Sequence, residues 1–174
     1  MKFKKYINTF RISYKNAIIG YLFLMTTILN VNGQENPPRP ITATVNISSN
    51  LCFGSFWQGG SGGTVIVYPD GTRSVTGDVI GLTMGPPVST SLFDIVAYPG
   101  TVVSLLDSDA ILTGDTGGWM TLQIRTINYT PLLVTTMPPA STQMRIGGTL
   151  IVGLPAQNPP GIYGGSIVIT FVQE

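Results

Sequence analysis

Histidine is absent from the 174 residues. Its loss removes the common general base near neutral pH, the usual zinc ligand, and every serine or cysteine triad that relies on an imidazole. Lysine is confined to Lys2, Lys4, Lys5 and Lys15, ahead of a hydrophobic stretch at residues 17–29. Beyond that point neither Schiff-base chemistry nor a serine–lysine dyad has its amine. Cysteine occurs once, as Cys52, so no intramolecular disulfide forms and the fold must be held by burial and strand ladders. Flanked by Leu51 and Phe53, Cys52 is expected to be a buried small hydrophobe.

Charge is scarce as well, at 10% of residues, and it is unevenly placed. The four lysines and Arg11 form a basic n-region before the apolar run AIIGYLFLMTTIL, which is short of the roughly 20 residues that span a bilayer. Val31 and Gly33 stand at the −3 and −1 positions of a small-residue cleavage site. Residues 1–33 are therefore expected to be a signal peptide, with a mature chain starting at Gln34 and no transmembrane segment after cleavage. The expected location is outside the cytoplasm: periplasm, cell surface or extracellular. In the mature chain Arg39, Arg73, Arg125 and Arg145 face eight carboxylates, which leaves −4. Nothing in that balance fits a phosphate backbone, so nucleic acid is excluded as a partner.

What the chain has in abundance is alternation punctuated by glycine and proline. The organising stretch is 62–82 (GGTVIVYPDGTRSVTGDVIGL), in which Val65 and Val67 share one face and Thr64, Ile66 and Tyr68 the other. Pro69 ends that arm, Asp70 can hydrogen-bond locally and Gly71 accepts positive φ, so an antiparallel hairpin is expected. Before it lie a proline-rich lead-in at 34–40, a half-buried strand at 41–48, an apolar run at 51–57 and a flexible QGGSGG loop at 58–63. The strand at 41–48 places Ile41, Ala43, Val45 and Ile47 on one face. It is either the first strand of its own sandwich or one donated to a neighbour's edge by β-augmentation.

Downstream, strands are expected at 91–98 and 101–106, joined as a hairpin by Pro99-Gly100, then at 119–127, 145–153 and 161–173. Residues 107–118 read as a polar loop, and 130–142 as an irregular crossover or short edge strand. Gly164-Gly165 suggests a bulge or a close backbone approach. No long segment keeps a 3.6-residue period. The expected fold is all-β: a single immunoglobulin-like antiparallel β-sandwich over 41–174, with a small β-barrel as the alternative.

Few groups here could carry chemistry. Asp107, Ser108 and Asp109 open like a calcium loop, but Ile111 and Leu112 occupy positions where such a loop needs a ligand and a glycine. The expectation is no catalytic residue, no metal and no cofactor. Asn46-Ile47-Ser48 and Asn128-Tyr129-Thr130 match the glycosylation sequon. Trp57 and Trp119 are candidate surface aromatics, weighed against ordinary core packing.

The order of short motifs has a family likeness. Phe53-Gly54-Ser55-Phe56, the stretch from Gly63 to Pro69 with Gly71-Thr72-Arg73 and Gly77, and Phe93-Asp94-Ile95 with Tyr98-Pro99-Gly100 come first. Gly147-Gly148-Thr149-Leu150 and Gly161-Ile162-Tyr163-Gly164-Gly165 with Ile167-Val168-Ile169 follow. Together they resemble the exported bacterial family called domain of unknown function 4402. The FG start and G-x-Y-x-G end are also similar to spore-coat-protein-U-type and other fimbrial subunits, although the paired cysteines of many such subunits are missing. The resemblance implies a sandwich without assigned activity: a secreted or cell-surface structural or adhesion protein, pilin-like and not an enzyme. Self-association, or association with other surface subunits through strand edges, is the expected partnership. An extracellular binding module for glycans or an envelope protein is the alternative.

Overall fold

The computed structural model describes residues 41–46 and 49–174, and of Val45 and Asn46 the backbone alone. The expected leader and lead-in at 1–40, together with Ile47 and Ser48, lie outside the described residues.

The organising hairpin is present and longer than its sequence suggests. Strand β2 (Phe56–Val67) turns through Pro69 into β3 (Arg73–Gly81), and the two pair antiparallel with Val65 opposite Val75. At the turn the Gly71 amide donates to the Tyr68 carbonyl (2.9 Å), with Gly71 at φ +85°. The QGGSGG stretch is not a loop. It is the middle of β2, and the register shift between Gln58 and Gly63 marks a bulge, with Gly62 and Gly77 at φ +69° and +67°. A side chain at Gly59 would strike the Asp78 carboxylate, and one at Gly63 the Thr76 carbonyl. Glycine serves close approach there, which composition alone does not distinguish from mobility.

Preceding the hairpin is β1 (Thr42–Asn46); after it come β4 (Ser91–Val96), β5 (Val102–Leu105), β6 (Ser108–Gly114) and β7 (Trp119–Ile124). A short 3-10 turn at Thr126–Asn128 leads to β8 (Leu132–Leu133), β9 (Thr142–Ile146), β10 (Gly148–Val152), β11 (Tyr163–Gly164) and β12 (Phe171–Gln173). They make a six-stranded sheet in the order β11-β6-β7-β10-β2-β3 and two three-stranded sheets, β1-β4-β9 and β12-β5-β8. All pairings are antiparallel. The chain is an all-β sandwich, and among the described residues no sheet closes into a barrel.

One hydrophobic cluster draws on all three sheets. Val65, Val67, Leu122, Ile124 and Leu150 come from the large sheet, Ile95, Met144 and Ile146 from β4 and β9, and Val103 from β5. Phe93 of β4 meets Phe171 of β12 edge-on, with ring centroids 5.4 Å apart, so the two small sheets adjoin at that pair.

Several stretches that alternate like one strand or one hairpin are divided between sheets. β4 and β5 do not pair; after the turn at Tyr98–Thr101 the chain leaves the β1-β4-β9 sheet for β12-β5-β8, and the Gly100 amide donates to Val134. The expected strand at 145–153 is two strands, β9 and β10, hinged at Gly147, where any side chain would meet the Val67 carbonyl. The last expected strand starts against β6 as β11 and finishes against β5 as β12. Between them a Cβ at Gly165 would lie 2.8 Å from the Ile111 carbonyl, the close approach expected of the glycine pair. The polar loop expected at 107–118 is a hairpin arm instead. β6 pairs with β7 along six positions from Ser108 to Thr113, with Leu112 buried on the face it shares with the half-buried Ser108 and Ala110, and Asp109, Ile111 and Thr113 on the solvent side.

Candidate functional site

The sandwich leaves two exposed features that could meet another molecule: strand edges and the outer face of the large sheet. β3 closes one end of the six-stranded sheet, and among the described residues nothing pairs with its far side. Its nine residues contain neither lysine nor proline, the usual guards of such an edge. Both of its charges turn onto their own chain. Arg73 donates through Nη1 to the carbonyls of Phe53 (3.1 Å) and Ser55 (2.9 Å) and through Nη2 to that of Leu82 (2.8 Å). Asp78 accepts the Ser61 amide at 3.2 Å.

The turn feeding β3 is locked beside it. Asp70 accepts the amide (2.9 Å) and hydroxyl (2.6 Å) of Thr72, and those two hydrogen bonds hold its carboxyl below the ordinary value of 3.8.

At the other candidate edge, β1 pairs with β4 of its own chain, Ala43 opposite Ile95 and Val45 opposite Phe93. Ile41 is half-buried and packs on the core cluster. Ala43 is exposed: its methyl, on the end strand of its sheet, does not reach the cluster that Ile95 fills. The side chain of Val45 is not described, and Ile47 lies outside the described residues.

Trp57 and Trp119 are each 54% exposed, so core packing does not apply to either. Trp57 stands opposite the exposed Ile80, and Trp119 opposite Thr113. They are linked through polar side chains at one end of the sheet. Gln58 donates to the Gly153 carbonyl (2.6 Å), the Gly153 amide donates to Asn158, and the buried Asn158 amide donates to the Trp119 carbonyl.

The acidic cluster does not gather around a common point. Asp107 and Asp109 both flank Arg125, at 3.6 and 2.6 Å, whereas Asp115 accepts the Ile162 amide at the far end of β6. Asn128 of the second sequon is fully buried, its oxygen accepting the Arg125 amide (2.9 Å) and its nitrogen donating to Thr149 (3.1 Å). A folded chain therefore offers no acceptor there. Cys52 is half-buried, not buried, because its backbone is tied to Ser89 at the rim of the sandwich.

Sequence reasoning missed the Arg73 clamp. Its signal was available in retrospect, since an arginine follows the hairpin turn while Gly54 and Gly81 leave room beside it: a Cβ on either would sit 2.9 or 2.7 Å from a guanidinium nitrogen.

A family model described as Domain of unknown function (DUF4402) matches residues 42–172. The chain belongs to that family. Neither a curated protein nor a solved structure matches it. Within the DUF4402 stretch, the Phe53-Gly54 motif and Arg73 thus acquire a physical connection through the clamp. Among the described residues no helix is long and apolar enough to cross a membrane.

Proposed function

We propose that this DUF4402 protein is an exported structural or adhesive subunit of the cell surface, pilin-like and without enzymatic activity, that associates through strand edges. The observation that carries the reading is the unguarded edge of β3. Its backbone amides and carbonyls are open on one side, and its two charges are engaged by its own chain. An added strand would gain main-chain hydrogen bonds at a preformed edge, which offsets the cost of ordering it. The signal-like leader and the lack of histidine support the export and the absence of catalysis.

Sedimentation of the mature chain, starting at Gln34, over a concentration series tests the proposal. Species larger than the monomer that grow with concentration support it, and a monomer throughout overturns it.

The exposure of both tryptophans favours a second reading, an extracellular module that binds a glycan or an envelope protein.

A further inference from the structure

The outer face of the six-stranded sheet carries a row of side chains whose register is fixed strand by strand. Ile111 lies opposite Thr121, Thr121 opposite Ile151, Ile151 opposite Thr64, and Thr64 opposite Thr76. Four strand intervals of about 4.8 Å give the row a length of ~19 Å. Trp119 precedes Thr121 by two residues on β7, so it shares that face one step along, more than half exposed. The row holds three threonine hydroxyls and two isoleucines and no charge.

We propose that this face binds a neutral polysaccharide, the pyranose rings stacking on the Trp119 indole and the sugar hydroxyls meeting Thr121, Thr64 and Thr76. The proposal rests on the binding-module reading and gives it a site and a ligand class. Three observations select the occupant. No basic group stands in the row, and Arg125, farther along the same face, is paired with Asp107 and Asp109, so an acidic glycan or a nucleic acid finds no free counter-charge. A second copy stacked face to face would bury threonine hydroxyls against aliphatic side chains, and hydroxyls without partners oppose burial. A sugar chain brings both donors and acceptors to those hydroxyls and an apolar ring face to the indole. Thr64 and Thr76 already bond each other at 2.6 Å, which leaves each oxygen further capacity for a ligand.

Retention of the mature chain on insoluble neutral polysaccharides (β-1,4-glucan, chitin and mannan), with polygalacturonate as the acidic comparison, tests this. The expected result is retention on at least one neutral polymer that survives added salt, lowered about tenfold by Trp119→Ala and by Thr121→Arg. Leu133→Ala, on the smaller β12-β5-β8 sheet, should be retained as the parent is. Thermal melts of all variants show whether a loss reflects unfolding, and a folded Trp119→Ala that binds like the parent overturns the site. Loss on Trp57→Ala alone would overturn the site while sparing the module reading. No retention on any neutral polymer, or salt-sensitive retention on polygalacturonate only, overturns the ligand class.

Discussion

Gly54 gives Arg73 its place. The glycine stands between two carbonyls that the guanidinium binds, those of Phe53 and Ser55, with φ at +69°, and a Cβ on it would lie 2.9 Å from Nη1. Gly54→Ala meets both a left-handed backbone and the displaced guanidinium, so a loss of about 1–3 kcal/mol is expected. Arg73→Ala leaves three carbonyls without that donor and should cost ~1.5–3 kcal/mol. Urea titrations of the two single variants and the double variant check the link: losses that fail to add are expected, because both act on the same clamp.

Asn128 fills a fully buried position with both ends of its amide engaged. Asn128→Ala strands the Arg125 amide and the Thr149 hydroxyl, and a loss of roughly 1–3 kcal/mol in chemical denaturation is expected. If the variant melts like the parent, those bonds contribute nothing.

Gly147 is the point at which the chain passes from β9 to β10 and so from one sheet to another. Gly147→Ala forces a methyl against the Val67 backbone, and a destabilisation of about 2–4 kcal/mol is expected by thermal melting. Ala at Gly71, whose Cβ would meet nothing, should cost less despite its φ of +85°.

Asp70 gives a pH signature. Its carboxyl is held below 3.8 by the Thr72 hydroxyl and amide. A depressed folded-state value means that its contribution to stability is fully present above 3.8 and is lost as pH falls through the folded value. An NMR titration should therefore place the Asp70 midpoint below 3.8 in the parent and nearer to it in Thr72→Val. A parent midpoint at or above that value contradicts the locked turn.

The strands were legible wherever one face is buried. Val65 and Val67, Phe93, Ile95 and Ala97, and Met120, Leu122 and Ile124 all lie inward as their alternation requires. What alternation does not encode is the partner. A period of two is the same on either side of Gly147, and the Pro99-Gly100 reversal looks like a hairpin although β4 and β5 belong to different sheets. Glycine was ambiguous for a related reason: in Gln58–Gly63 it admits a neighbouring backbone and carboxylate, an effect visible only once β3 is in place. The sequence leaves Trp57 and Trp119 between surface and core, and the face that exposes Trp119 emerges only from the register of its neighbours.

Association through the edge of β3 is read by hydrogen–deuterium exchange of the peptide covering Arg73–Gly81, followed from dilute to concentrated mature protein. Amides on the open side of β3 should become protected as larger species form, and Ser74→Lys, which sets a charge on that edge, should abolish both the protection and the association. Association that proceeds with β3 exchange unchanged, or that persists in a folded Ser74→Lys variant, would contradict the account.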